Sequence, residues 1–451
     1  MSLLDQLRQD GRETAIIGLG KSGVAAGLLL RDHDVPVYAS EIRDSETTRG
    51  WAGTLRAAGA EVELGLHDLA RIARASTVVV APGVPPEAPP IRAALDAGLS
   101  VLAEVDLGFT ALPATRFVGL TGTNGKTTTT SLVAHLMTAI GLDAVAAGNI
   151  GLPLCEVARG ATAPDWVALE LSSFQLHDSP HVKPQVSALL NLSSNHLDRY
   201  HSIEEYFGDK ALLFRNADAS SVSVSNADDA AVQGIIATVP GRHLRFSTTR
   251  QADGWYDREA GWLMLGTDRL LQRSRLPLLG DHNIANALAA GLIIRELGGS
   301  LEAMASGLTT FRAIEHRVEP VREVNGVLWI NDSKSTNVTS TEVAITALDR
   351  PFVLLLGGRH KGEPYTRLGP LLKARCRAVV AYGESGDLVE QDLRDAVKVV
   401  RAGTFDDVVR TAAALAGPGD AVLLSPACSS YDMFNNYEER GATFRALVEA
   451  L

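Results

Sequence analysis

The chain has 451 residues, with 42 Lys and Arg against 53 Asp and Glu, a net charge of −11, and 46% apolar and 21% charged residues. That balance supports several packed cores and excludes long disorder. It also argues against a nucleic-acid binder, which carries a basic stripe, but not against anionic small substrates held by a few local cations and helix N-termini.

Cys155, Cys376 and Cys428 are few and far apart, so no disulfide frame or zinc knuckle is implied and a reducing compartment fits. The opening MSLLDQLRQDGRET is polar, without a signal-peptide core. No run of about 18 apolar residues suggests a membrane span. A soluble cytoplasmic protein is expected.

In chain order, TAIIGLG, PVYAS, STVVVAPG, RFVGLTG, WVALEL, VSALLNL, FVLLLGG, AVVAYG and AVLLSPA read as buried parallel strands. Amphipathic stretches such as Ser22–Arg31, Thr127–Ile140 and Phe405–Ala416 lie between them. This alternation predicts an α/β protein with open parallel sheets. Three domains are expected: 1–105, Rossmann-like; 106–313, of P-loop ATPase type with a mainly parallel sheet and a β-like insertion (DGWYDREAGWLML); and 314–451, again Rossmann-like.

The first domain opens on IIGLGKSG, where Gly18, Gly20 and Gly23 form a G-x-G-x-x-G around Ser22. Glu41 follows at the end of the next strand, at the spacing of a ribose-binding acid. A dinucleotide, another diphosphate such as a nucleotide sugar, or a ligand-free tight turn all fit. Pro82 and Gly83, in VVVAPGVPP, end another strand where open α/β sheets bind ligands.

The second domain opens on VGLTGTNGKTTTTSLV. Its GKT matches the end of a P-loop, but Leu120 stands where the first glycine of that loop usually falls, and Gly122 and Gly125 flank Thr123 and Asn124 instead. Glycines let backbone N–H groups wrap phosphate oxygens, and the helix N-terminus adds partial positive charge. Lys126 suits β/γ-phosphates, Thr127 offers a hydroxyl to Mg²⁺, and Thr128 continues the turn.

Further along, Glu170 ends an apolar strand, as a Mg²⁺ ligand, a helix cap or half of a buried ion pair. NLSSNHLDRYHSIEEYFGDK carries His196, Asp198, His201 and Lys210; a surface histidine and a solvated lysine are the plain alternatives to ligands. Asn283 and Asn286 share a helix face and suit an adenine edge or a cap. In the third domain Arg317 suits phosphate and Asp332 ribose hydroxyls. Lys334, Lys361, Ser429, Ser430 and Tyr437 lie near strand ends.

Taken together, GTNGKT, GNIGLP (Gly148–Pro153), ELSSFQL, the Asn195–Tyr200 run, DHNIANALAA, EHR, NDSKSTN, LLLGG and SPACSSYDMFNNYEERG occur in the order of the Mur ligase family, which the chain resembles over nearly its whole length. The family loop G-[ST]-N-G-K-[ST] accounts for the displaced glycine. ELSSFQL, WINDSKSTN and the SPACSS…ERG end fit the glutamate-adding branch, in which the N-terminal domain holds a uridine diphosphate rather than NAD. Sister ligases, folylpolyglutamate synthases, a NAD-dependent dehydrogenase and a catalytically dead nucleotide binder are the rival readings.

The resemblance implies ATP-dependent ligation of D-glutamate to UDP-N-acetylmuramoyl-L-alanine through an acyl phosphate, by a monomer; L-glutamate on the same scaffold is the alternative. It implies that Lys126 and the loop amides hold ATP, Thr127 and Glu170 one Mg²⁺, and His196 a second, with Lys210 carrying a carbamate. Asn149, Phe174 and Gln175 fall to the sugar or its alanine, and Asn283, Asn286, Arg317 and Asp332 to the nucleotide. Lys334, Thr336, Lys361, Ser430 and Tyr437 fall to the incoming glutamate. Three positions depart from the family: Tyr437 where phenylalanine is frequent, Arg359–His360 where an acid is frequent, and Glu41 in place of aspartate.

Overall fold

A computed structural model of the protein describes residues 1–194 and 199–451. Three sheets follow one another along the chain. The first holds β1 (Thr14–Ile17), β2 (Val37–Glu41), β3 (Glu61–Leu64), β4 (Thr77–Val80) and β5 (Val101–Ala103), in the spatial order 3-2-1-4-5. All of its pairings are parallel. The order reverses between β1 and β4, so the loops after these two strands flank a crevice.

The second sheet holds β6 (Arg116–Thr121), β7 (Ala144–Gly148), β8 (Trp166–Glu170), β9 (Val186–Leu189), β10 (Val222–Asn226), β11 (Arg242–Ser247), β12 (Gly254–Asp257), β13 (Trp262–Leu265) and β14 (Asp268–Gln272). Its order is 14-13-12-11-10-9-6-8-7. From β7 across to β12 the strands pair in parallel; the predicted insertion supplies β12 and β13, and β14, beyond it, completes the antiparallel β12–β13–β14 edge.

The third sheet holds β15 (Glu319–Val324), β16 (Val327–Asn331), β17 (Phe352–Gly357), β18 (Cys376–Tyr382), β19 (Val399–Arg401) and β20 (Ala421–Leu424), in the order 15-16-20-17-18-19. Only the β15–β16 hairpin is antiparallel.

The apolar runs read as strands because both sheet faces are covered. In β1, Ile16 enters one core while Ala15 and Ile17 enter another. In β17, Leu354 and Leu356 pack on one face and Val353 and Leu355 on the other. Side chains alternate with period 2, so a strand buried on both sides shows no polar alternation.

The chain divides into two compact units, Met1–Arg275 with Ala285–Thr309, and Leu276–Ile284 with Thr310–Leu451. The first two sheets share one unit, joined by buried polar contacts. Asp106 accepts the His181 amide at 2.9 Å and faces His181 Nδ1 at 2.6 Å. Glu104, 1% exposed, accepts the Cys155 amide at 2.6 Å through Oε1, while Oε2 has no hydrogen-bond partner among the described residues.

Burial pushes Glu104 up to about 7 from an ordinary 4.5. Over that window the folded chain keeps a proton that the unfolded chain has released. Stability therefore falls as pH rises through it, by roughly 3 kcal/mol. Glu104→Gln removes this ionisation and keeps the acceptor for Cys155. Its thermal midpoint is expected to exceed that of the parent near pH 8 and to match it more closely near pH 5; equal differences at both pH values would contradict the assignment.

Candidate active site

The loop after β6 runs Gly122–Thr123–Asn124–Gly125 into the helix Lys126–Ala139. Gly125 is the helix N-cap at φ +78°, a conformation that favours glycine. A Cβ there would lie 2.6 Å from Asn286 Oδ1, so Asn286 presses directly on the turn. The stretch after β9 braces the loop: the Thr123 amide donates to the Asn191 carbonyl (2.9 Å) and the Asn124 amide to Asn191 Oδ1 (2.8 Å). Asn191 Nδ2 returns a bond to the Asn124 carbonyl at 3.0 Å. The sequence reading did not single out Asn191, because an asparagine in a polar loop carries no distinguishing pattern.

Gly125→Ala adds left-handed strain and displaces Asn286. It is expected to weaken ATP binding by about tenfold or more, read by titration calorimetry. Unchanged affinity would mean that ATP does not use this turn.

Two lysines converge on one oxygen of this loop. Lys126 Nζ donates to the Gly122 carbonyl (2.8 Å) and the Thr123 carbonyl (2.9 Å). Lys210 Nζ donates to the same Gly122 carbonyl at 2.8 Å, reaches Thr121 Oγ1 at 3.5 Å, and lies 4.8 Å from the centre of the Tyr206 ring. Lys210, on the helix Ile203–Ala211, is only 1% exposed. Burial holds its amine well below the ordinary lysine range, and the Lys126 charge adds to that, opposed by Glu170.

Glu170 ends β8, in register with Leu120 of β6 and Gly148 of β7. Its Oε1 accepts Asn149 Nδ2 at 2.9 Å, and its buried Oε2 has no hydrogen-bond partner among the described residues. A carboxyl oxygen left bare at 1% exposure is costly unless a partner completes it. Glu170 therefore fits a divalent metal ligand; Thr127 and Thr128 are half-buried at the start of the loop helix. Among the described residues no three His, Cys, Asp or Glu side chains cluster as a metal site. His196, with Asp198, lies outside the described residues.

At the crevice of the first sheet, Gly18, Gly20, Ser22, Glu41, Pro82 and Gly83 line one cavity of about 640 Å³. Gly23 does not line it; a Cβ at Gly23 would overlap the Gly18 carbonyl, so this glycine serves the tight turn. Glu41 accepts the Leu19 amide and the Arg43 amide, each at 2.9 Å. Burial raises its pKa, yet these two amides and the Arg43 side chain together outweigh it and hold the carboxyl below its usual range. Glu41 thus shapes the glycine loop. Arg43 and His67 also line the cavity, and neither was marked by a motif.

A second cavity, of about 600 Å³, shares the Ala81–Pro82 and Val84–Pro85 wall and reaches Phe174 and Gln175. Arg199 stacks 3.8 Å from the centre of the Phe174 ring and donates to the carbonyls of Pro82 (2.9 Å) and Val84. The Gln175 side chain accepts from the Ser172 amide (3.0 Å) and hydroxyl (2.9 Å), closing a capping box on its short helix. Arg199 sits inside a run quoted for its histidine and was itself passed over.

In the other unit, the loops after β16, β17 and β20 carry Asp332, Lys334, Thr336, Lys361 and Ser430, while Arg317 precedes β15 and Tyr437 opens the final helix. Asp332 is buried, accepting the Val318 amide (3.1 Å) and the Ser425 hydroxyl (2.7 Å). Burial pushes it up to about 6. Arg317 is half-buried, and its Nε has no hydrogen-bond partner among the described residues. Lys334 Nζ lies 5.3 Å from the centre of the Tyr437 ring, and Lys361 Nζ donates to Thr336 Oγ1 at 3.2 Å. Ser430 is buried at the turn after β20, while Arg359 forms a two-pronged pair with Glu384. Asn283 Nδ2 donates to the Leu279 carbonyl at 2.7 Å, at the start of its own helix.

A phosphate-type loop crossed by a buried, pKa-lowered lysine, a strand-end carboxylate with one bare oxygen, and a glycine-lined crevice on a separate parallel sheet define a multidomain nucleotide-dependent enzyme of the α/β class. Comparison with known proteins narrows it. Residues 12–103 match the Mur ligase MurD-like N-terminal domain, 120–294 the Mur ligase middle domain, and 316–428 the Mur ligase glutamate ligase domain.

A protein of Acidobacterium capsulatum is 38% identical over 446 residues, covering 98% of this chain and 96% of its own. One of Salinibacter ruber is 40% identical over 470 residues, covering 99% of each. Both are named UDP-N-acetylmuramoylalanine–D-glutamate ligase. The crystal structure of MurF ligase from Thermotoga maritima in complex with ADP shares the fold, with a TM-score of 0.61 at 16% identity over 92% of this chain and 95% of that one. MurC from the same organism gives 0.60 at 18% identity, over 97% and 99%. The chain belongs to the Mur ligase family, ATP-dependent enzymes that form amide bonds.

Proposed function

We propose that the protein joins D-glutamate to the alanyl carboxylate of UDP-N-acetylmuramoyl-L-alanine, in cytoplasmic peptidoglycan precursor synthesis, acting as a monomer. The observation that carries this reading is the meeting of Lys126 and Lys210 on the Gly122 carbonyl, in a chain that resembles D-glutamate ligases from end to end.

A carboxylate does not react with an amine near neutral pH, so it needs a better leaving group. A carboxylate oxygen attacks the γ-phosphorus of ATP, ADP departs, and an acyl phosphate forms. The glutamate amine, having lost its proton to water, attacks the acyl carbon. The tetrahedral adduct loses the second proton of its new nitrogen to water and collapses, breaking the carbon–oxygen bond to phosphate, and the amide remains.

The chain's residues serve this sequence by holding anions together. Lys126 turns from the loop carbonyls to the β/γ-phosphates, and the amides of Gly122–Thr128 wrap them. Asn283, Asn286, Arg317 and Asp332 hold the nucleotide. Gly18, Gly20, Ser22, Gly23, Glu41, Pro82 and Gly83 hold or shape the uridine diphosphate site. Asn149, Phe174 and Gln175 flank the sugar and its alanine. Lys334, Thr336, Lys361, Ser430 and Tyr437 receive glutamate.

Two Mg²⁺ ions, one on Thr127 and Glu170 and one on His196 and Lys210, would neutralise the charge that develops on the phosphoryl oxygens. Lys210 is suited to a carbamate: its lowered pKa supplies the neutral amine that adds to CO₂, giving a carbamate anion and a released proton.

Substrate labelled with ¹⁸O in the alanyl carboxylate tests the pathway. Transfer of one label to released phosphate is expected. Phosphate free of label would overturn the acyl-phosphate route.

A further inference from the structure

The C-terminal helix Tyr437–Glu449 carries Arg440, the arginine of the SPACSSYDMFNNYEERG run, to which no role has been given. Arg440 is 0% exposed. Its guanidinium spans two loops: Nε donates to Ser333 Oγ (2.9 Å) and Nη2 to the Ser333 carbonyl (2.8 Å), while Nη1 and Nη2 both donate to the Cys428 carbonyl (3.2 Å each). Every one of these acceptors is neutral. Nearby acids are engaged elsewhere: Glu319 with Arg445, Asp332 with Val318 and Ser425, and Asp432 with the Glu384 amide.

The surrounding motif is built to admit this group. Gly358 sits at φ +132°, where a Cβ would overlap the Ser429 carbonyl and come within 3.4 Å of Arg440 Nη1. Gly441 has no side chain because His316 occupies that space. Ser333 Oγ, while accepting from Arg440, donates to the Tyr437 carbonyl at 2.8 Å. Arg440 thus ties the loop after β16, the loop after β20 and the start of the final helix to one buried cation.

The geometry points to Arg440 as a positioning residue for the amino-acid subsite that also biases the subsite toward a dicarboxylate. Ser333 immediately precedes Lys334, and Cys428 lies two residues before Ser430, so the fork sets the spacing between the side chains assigned to glutamate. A guanidinium stays protonated, and a charge whose hydrogen bonds all go to neutral oxygens in a low-dielectric interior is felt strongly by a nearby anion. The inference rests on the glutamate-ligase reading.

Arg440→Lys keeps the charge but loses the planar fork, and Arg440→Met loses both. Steady-state kinetics should show the KM for glutamate raised about 10-fold or more in Arg440→Lys, with the KM values for ATP and the nucleotide sugar little changed. Arg440→Met should, in addition, narrow the preference for glutamate over glutamine, which Arg440→Lys should keep. A structural role alone would lower kcat or stability without this selective KM change.

Ser333→Ala removes one acceptor and leaves the backbone intact, so it serves if Arg440→Met does not fold; a smaller rise confined to the glutamate KM is expected. An unchanged glutamate KM in Arg440→Lys and Ser333→Ala, with an active parent enzyme, overturns this inference alone. A parent enzyme that shows no glutamate-dependent phosphate release overturns both it and the ligase reading.

Discussion

Lys126→Ala is expected to lose ATP-dependent phosphate release by about 10³-fold. The side chain already lies along the loop, spanning the carbonyls of Gly122 and Thr123, so it is placed where phosphate oxygens would replace carbonyl oxygens as its partners. Bringing a carboxylate to a triphosphate joins two anions. Without the ammonium, the charge that develops on the transferred phosphoryl group loses its nearest fixed cation. The loop itself should survive, because Asn191 and Ser193 brace it independently of the lysine. The expected signature is therefore a fall in kcat with a thermal midpoint close to that of the parent. Full activity in this variant would sink the assignment of the loop to ATP.

The second large effect falls on Lys210→Ala. A lysine with 1% exposure among Gly122, Thr121 and Tyr206 is poorly placed to remain an ammonium, since burial and the Lys126 charge both disfavour its protonated form. A neutral amine there would be able to take up CO₂ and become an anion, giving the loop a negative charge where it otherwise has none. The variant is expected to lose about 10²- to 10³-fold in kcat and to recover part of it with added acetate, formate or propionate, which restore a carboxylate in the vacated space. The parent should lose rate as pH falls through the lowered pKa of the amine, because the protonated form cannot hold CO₂, and should gain rate with added bicarbonate. No rescue by carboxylates, together with no response to bicarbonate, would remove the carbamate from the account and leave Lys210 as a brace of the Gly122 carbonyl.

Much of the fold was legible because strands covered on both faces read as unbroken apolar runs, as in FVLLLGG and AVLLSPA. The β-rich edge after β11 was legible through its paired tryptophans and glycines. The phosphate loop was legible through chemistry: glycines beside a lysine and a helix start have few other uses. Other features were hidden because the sequence does not say which polar residue faces inward. Arg199 and Arg440 are ordinary charged residues in composition. Only the fold brings Arg199 over Phe174 and against the Pro82 carbonyl, and Arg440 between Ser333 and Cys428. Glu41 shows the reverse case. Its spacing fits a ribose acid, while the fold shows its two oxygens accepting the Leu19 and Arg43 amides, a loop-shaping contact that spacing alone does not announce.

The most direct measurement incubates the purified protein with UDP-N-acetylmuramoyl-L-alanine, ATP, Mg²⁺ and either D- or L-glutamate, following released phosphate and the mass of the nucleotide-sugar product. Phosphate release matched by one added glutamate, with the D-enantiomer only and with no release when any one component is left out, is the expected result. Equal product with L-glutamate, or no glutamate-dependent release with either enantiomer, would contradict it.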